Sequence, residues 1–313
     1  MTRSTLPSYA GVSTDSNKQP YVNLGKTDNE GVDLSLEWNQ RFGDWYLTAR
    51  GNFTYNRNKL VDIDEAAKQY PYRSQVGKPY GVGMAQPFGL VALGLFQSQE
   101  EIDSSPYQTF GEYRVGDIKY QDINGDGVIN ADDQIYLGYT TMPEITYGFG
   151  ATASWKGIDL NIFFQGIGHV NFFLGGDSIM TPFNSNEASR RSVQLDVWNH
   201  GWRTDLTDEQ KAAAIYPRLT EGNGVGRTNN SQQSSWWQRN GAFLRLKNVE
   251  IGYTFPKKWM SATRVFKSLR IYVSANNLCT FSDFKLWDPE TGNGQGSTYP
   301  PNRVFSFGIN ANF

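Results

Sequence analysis

Alternation with a period of two is the dominant pattern in this chain. Val32, Leu34, Leu36 and Trp38 alternate with Asp33, Ser35, Glu37 and Asn39. Gly43-Asp44 then offers a tight turn. Beyond it Trp45, Leu47, Ala49, Gly51, Phe53 and Tyr55 alternate with Tyr46, Thr48, Arg50, Asn52, Thr54 and Asn56. Successive side chains of a strand point to opposite faces, so these runs predict a hairpin, with strands of a length that crosses a bilayer. A second hairpin follows. Ile145, Tyr147, Phe149, Ala151, Ala153 and Trp155 oppose Thr146, Gly148, Gly150, Thr152 and Ser154. Lys156-Gly157 suits a two-residue turn, and Ile158, Leu160, Ile162 and Phe164 continue the apolar face. A third pair spans Phe243 to Phe255 and Leu269 to Leu278. In the last run, Phe305, Phe307, Ile309, Ala311 and Phe313 alternate with Ser306, Gly308, Asn310 and Asn312, and the final residue is aromatic.

A soluble sandwich strand also alternates, because one of its faces is buried. Three features favour a membrane barrel instead. The polar faces carry mainly Thr, Ser, Asn, Gly and Gln, which suit a lumen. Short connections (43–44, 156–157 and about 256–267) alternate with long ones (57–144, 167–241 and 279–303), as the two ends of an outer-membrane barrel require. The apolar register ends on an aromatic residue, as an interfacial girdle would have it. Phe305, Phe307, Ile309 and Phe313 are therefore expected to face lipid and to form the signal read by the barrel assembly machinery. The expected fold class is all-β: the C-terminal portion of a large antiparallel transmembrane β-barrel, with long extracellular loops.

Parity refines this. If the last strand runs towards the periplasm, Trp45–Asn56 runs outward and 57–144 begins and ends outside. Tyr80 to Phe96 is too short for two crossings and carries Pro87. Region 57–144 is thus expected to be extracellular, and so is loop 167–241. About seven spanning strands remain, an odd number that cannot close a barrel alone. The plug domain of such a barrel is not expected within residues 1–313. The first residues, M-T-R-S-T-L-P-S-Y, lack the charged and apolar regions of a signal peptide.

Composition narrows the chemistry. Aromatic residues make up 14% of the 313 residues and hydrophobic residues only 38%. No run of 18 apolar residues is present, so a transmembrane helix is excluded. The net charge of -2, with both signs dispersed, gives no footprint for nucleic acid. Cys279 is the only cysteine, so there is no internal disulfide and no thiolate metal cluster. His169 and His200 read as polar loop residues. No Ser/His/Asp set or phosphate loop is recognisable, and no enzyme is expected.

Residues 122–133 form the sharpest local motif. Asp122, Asn124 and Asp126 stand at positions one, three and five of a calcium-loop template. Gly127 stands at six, the Val128 carbonyl at seven, and Asp133 at twelve. A hard cation needs six or more oxygens, and this spacing wraps them around one point. Ca2+ is the expected cofactor, in a structural role, at Asp122, Asn124, Asp126, Val128 and Asp133. The alternative is a metal-free Asx-Gly turn. Within 167–241, Thr207-Asp-Glu-Gln210 reads as a capping box opening a helix that Pro217 stops, and Glu187–Trp198 as a further helix. Trp198, Trp202, Trp236, Trp237 and Trp287 are candidates for stacking on a substrate, against the alternative that they pack the loops together.

The chain resembles a known family. G-D-I-K-Y-Q-D-I-N-G-D-G-V-I-N-A-D-D (116–133) is similar to a loop of the SusC/RagA-type TonB-dependent outer-membrane transporters. So are P-E-I-T-Y-G-F (143–149), D-L-N-I-F-F-Q-G (159–166), F-L-R-L-K-N-V-E-I-G-Y-T-F-P (243–256), L-R-I-Y-V-S-A-N-N-L (269–278) and 299–313. N-L-G-K-T-D-N-E-G-V-D-L-S-L (23–36) and G-N-F-T-Y-N-R-N-K (51–59) match upstream. The resemblance implies a barrel around a plug, energised by the TonB complex and capped by a SusD-like surface lipoprotein in the cell outer membrane. It implies import of oligosaccharides or peptides. Such barrels have about 22 strands, so this chain would supply roughly the final third. Two other readings stay open: a secreted calcium-binding, glycan-binding β protein, and a siderophore-type TonB-dependent receptor.

Overall fold

The computed structural model describes residues 2–5, 21–63, 65–80, 87–174, 183, 195–220, 225–263, 265–292 and 298–313. The seven expected strands form one antiparallel sheet. They are β2 (Tyr21–Phe42), β3 (Trp45–Asp62), β4 (Ile145–Trp155), β5 (Ile158–Gly168), β6 (Phe243–Thr254), β7 (Ser268–Phe281) and β8 (Val304–Asn312). A short β1 (Thr2–Thr5), which the alternation did not predict, pairs with β2. Sheet order follows chain order from β1 to β8 and the sheet does not close on itself.

The pairing register lays one apolar band across the sheet. Trp38, Ala49, Ala151, Ile162, Val249, Ala275 and Phe305 lie side by side on seven consecutive strands. This row places the apolar residues of every hairpin on the same face, as a lipid-facing surface requires. The opposite face runs Asn39, Thr48, Thr152, Asn161, Glu250, Ser274 and Ser306. Lys156 (φ 46°) and Gly157 (φ 90°) both adopt positive φ, which the two-residue turn between β4 and β5 demands.

Aromatic residues gather at the short-turn end. Trp45 stacks on Trp155 at 5.6 Å, Phe255 meets Trp259 at 6.1 Å, and Phe266 meets Phe313 at 5.1 Å. This is the aromatic girdle of a membrane interface. The connection between β6 and β7 holds a helix, Lys257–Thr263, that periodicity did not reveal.

β2 and β3 are longer than expected, 22 and 18 residues. At about 3.3 Å per residue β2 extends roughly 70 Å, well over twice a ~30 Å hydrocarbon core. Residues 26–31 and 56–62 pair with each other beyond the alternating pattern, and Leu60, fully buried there, exchanges backbone hydrogen bonds with Gly77 and Lys78. Backbone hydrogen bonds continue the hairpin above the membrane, where no hydrophobic pattern is needed to hold it.

The packed core lies away from the sheet, in the long connections. Leu90, Leu95, Ile118, Tyr120, Ile129, Phe172, Val197, Tyr216, Trp237 and Phe284 form one buried cluster. The described parts of 57–144, 167–241 and 279–303 thus fold together as one cap at the end opposite the short turns. The capping box is present: the Thr207 hydroxyl accepts from the Gln210 amide at 3.3 Å, and the Gln210 side chain accepts from the Thr207 amide at 3.0 Å. Its helix, Asp208–Ala212, stops short of Pro217 because the Tyr216 carbonyl accepts from the Trp202 amide and holds the chain extended. The helix expected over Glu187–Trp198 lies mostly outside the described residues, and Leu195–His200 is helical.

Candidate functional site

The polar face of the sheet is the first functional surface. Asn161 donates to Asn248 at 3.1 Å, and Asn248 donates to Asn276 at 3.1 Å, so an amide ladder crosses three strands. Nearer the short turns, Arg270 pairs with Asp159 and, at 2.7 Å, with Glu250. A Cβ on Gly252 would come within 2.4 Å of the Arg270 guanidinium, so only glycine leaves room for that pair. The face is polar and hydrogen-bonded, and Arg270 on it is paired with two carboxylates. It can line an aqueous passage.

The opposite face carries the residues expected to meet lipid. Phe305, Phe307, Ile309 and Phe313 are 69%, 68%, 59% and 71% exposed, which is the condition for lipid contact.

The cap contains the remaining candidates. Asp122 accepts from the amides of Gly125 at 2.7 Å and Gly127 at 2.8 Å. Asp126 accepts from the Val128 amide at 2.8 Å, and Asn124 accepts from the Asp126 amide at 3.0 Å. Asp133 is fully buried, accepting from the amides of Ile123 and Asn130 at 2.8 Å each. The loop therefore has the curvature that the template demands, closed by hydrogen bonds. Among the described residues, no three Asp, Glu, His or Cys side chains converge on one point. A hard cation would thus need the Asn124 side chain and the Val128 carbonyl in its shell as well, and the donor chemistry, all oxygen, fits Ca2+.

The five tryptophans separate. Trp237 is 1% exposed, and its indole N–H donates to the Asn230 carbonyl at 2.7 Å. Trp202 is 7% exposed, and its ring presses on Gly116 so closely that a Cβ there would sit 2.5 Å from it. Trp237 is wholly enclosed in the core, whereas Trp202 packs the core and also borders a cavity of about 590 Å³ lined by Gln97, Lys211 and Ala212. Trp236 is half-buried at the core margin. Trp287 packs edge-on against Phe284 at 4.8 Å. Trp198 alone of the five is exposed, with the Arg203 guanidinium 4.6 Å above its ring.

Two clusters were not legible in the sequence. Asp117 accepts from Arg218 at 3.0 Å, from Asn230 at 2.9 Å and from the Arg114 amide at 2.8 Å. Gln108 donates to Asn229 at 2.7 Å, tying the same two regions again. Separately, Arg245 on β6 pairs with Asp288 and, at 3.1 Å, with Glu290, which pins 288–292 to the sheet. The one signal in the sequence was a polar residue inside an apolar run, as in F-L-R-L (243–246).

A sheet with one continuous apolar face, an aromatic belt and a polar opposite face, carrying a folded cap, defines a segment of a transmembrane β-barrel. No family model matches the chain. A TonB-dependent receptor, P26, of Formosa agariphila is 30% identical over 99% of this chain. The TonB-dependent receptor SusC of Bacteroides thetaiotaomicron is 23% identical over 96% of it. The solved RagAB peptide transporter superposes with a TM-score of 0.71 over 98% of the chain, at 23% identity. The chain spans about a third of the length of these relatives: 31%, 28% and 31%. In sequence and fold the chain is similar to about a third of these TonB-dependent receptors. Its relatives are receptors and transporters, not enzymes.

Proposed function

We propose that this chain supplies part of the wall and the extracellular cap of an outer-membrane, TonB-dependent importer of large nutrients. The observation that carries this reading is the two-faced sheet, apolar and girdled on one side and polar on the other. The kinship with SusC and RagAB supports a SusD-like surface lipoprotein as partner and oligosaccharides or peptides as substrates. It favours this family over siderophore-type receptors. The polar face would line the route, and the cap would shape its outer mouth. The TonB complex would act through parts of the protein outside this chain.

The test is solubility. Residues 1–313 expressed alone should remain in solution only with detergent, because the apolar band and the outer edge of β8 are both uncovered. A monodisperse monomer without detergent would favour the secreted glycan-binding reading and sink this one.

We also propose that Ca2+ occupies the 122–133 loop, held by Asp122, Asn124, Asp126, Asp133 and the Val128 carbonyl. The ion would neutralise three carboxylates and brace the cap, and extracellular sites of this kind bind at roughly 10⁻⁴ to 10⁻³ M. Asp122→Ala with Asp126→Ala should abolish calcium-dependent protection of residues 115–135 from proteolysis. Equal cleavage of the wild-type loop in calcium and in chelator would reduce the site to a turn.

A further inference from the structure

A cavity of about 280 Å³ sits where β6 and β7 meet the cap, beside the start of β8. Arg245, Asn277, Thr280, Lys285, Trp287 and Arg303 line it. Arg245 is 1% exposed, and its ion pairs with Asp288 and Glu290 hold the guanidinium in place. Its Nε is nevertheless buried and without a hydrogen-bond partner. The same is true of Asn277 Oδ1, while the Asn277 amide nitrogen is fixed by the Asn302 carbonyl at 3.0 Å. Asn277 also adopts φ 56°, a left-handed backbone conformation uncommon for a side-chain-bearing residue.

One donor and one acceptor without partners therefore belong to side chains that line one cavity. Buried polar atoms are rarely left without partners, so such a pair marks a place where another molecule completes the set. The charge around it is unbalanced. Lys285 and Arg303 are exposed and form no ion pair among the described residues, and Asp288, already engaged by Arg245, is the one carboxylate in the lining. The cavity thus presents cations to an anionic oxygen, an acceptor to an O–H, and an indole to an apolar ring face.

We propose that this cavity binds a carboxylate-bearing sugar of the uronic acid class. Its carboxylate would lie against Lys285 and Arg303, and its ring hydroxyls would pair with the Asn277 and Arg245 side chains as these turn to meet it. The site lies on the wall of the passage at its outer end, since Arg245 and Thr280 are register partners on the polar face alongside Gln165. Its use in transport rests on the importer reading, which it deepens by naming a substrate class.

The test uses the full-length receptor in detergent, with calorimetric titration of a glucuronate-containing disaccharide, its neutral glucose counterpart, acetate and a dipeptide. The glucuronate disaccharide should bind at least about tenfold tighter than the other three. Lys285→Gln with Arg303→Gln should weaken it by at least about tenfold, and the charge-preserving pair Lys285→Arg with Arg303→Lys should restore it. Equal binding of the neutral disaccharide, tighter binding of the dipeptide, or an unaffected double glutamine variant would each overturn the proposal. Heat-dependent gel mobility of the same preparations reports barrel formation. A folded barrel that fails to bind overturns this inference alone, whereas loss of the barrel in the wild type overturns the importer reading.

Discussion

Phe149→Arg in the full-length protein should destabilise the barrel by about 2–4 kcal/mol, the largest effect expected of any single change on the sheet. Phe149 lies near the middle of β4, between the aromatic belt and the cap, and is 45% exposed on the apolar face. It stacks on Phe164 of β5 at 5.1 Å and pairs with Gly51 of β3. The substitution removes the ring contact and sets a guanidinium in hydrocarbon, where the side chain is too short to reach either interface at little cost. Ser35→Arg is the matched control. Ser35 sits at nearly the same height on β2, paired with Asn52, but on the polar face. It should leave the barrel's urea midpoint and its outer-membrane abundance close to wild type. Equal sensitivity at both positions would mean that the apolar face does not meet lipid.

The contrast between these two neighbouring faces was readable because burial in lipid imposes a period of two, and the residues obey it. The alternation assigns Trp45 to Tyr55 and Ile145 to Trp155 to one shared apolar face, and the pairing joins them in register. The outer half of β2 was not readable. Lys26 to Gly31 has no apolar side chain on either face, so no alternation marks it as strand, and its pairing with residues 56–62 holds it. The same physics explains the site residues. The curvature of the 122–133 loop was legible because Asp, Asn and Gly at fixed spacing close successive turns. Trp202 and Trp237 show the limit of sequence, because an indole that packs a core and one that stacks on a sugar are the same letter. Only the neighbours decide, here Gly116 for one and Asn230 for the other. Asp117 and Asn230 are separated by more than a hundred residues, and no local pattern foretells that they touch.

That contact carries the second large effect. Asp117→Ala should loosen the cap by about 3 kcal/mol, because removing one member of a buried polar set strands the others. Asp117 is fully buried, and its loss leaves Asn230 Nδ2 and the Arg114 amide without their acceptor. Arg218 suffers less, since its side chain is 23% exposed and reaches water. Gly226 belongs to the same device: it has φ 89°, and a Cβ there would lie 2.4 Å from the Asp117 carboxylate. The carboxylate's pKa is raised by its burial, which outweighs the opposing pull of Arg218 and Asn230. In the interval between the unfolded and folded pKa values the folded cap therefore binds more protons than the unfolded chain. The contribution of this group is fully present below the unfolded pKa and is lost as pH rises through the folded one. Mild acidification should thus tighten the wild-type cap through Asp117, and the alanine variant should lose that trend. Hydrogen exchange in segments 114–120 and 225–239, corrected for intrinsic rates at each pH, measures both effects. Protection in Asp117→Ala equal to wild type at neutral pH would show that the cap is held by its apolar core alone.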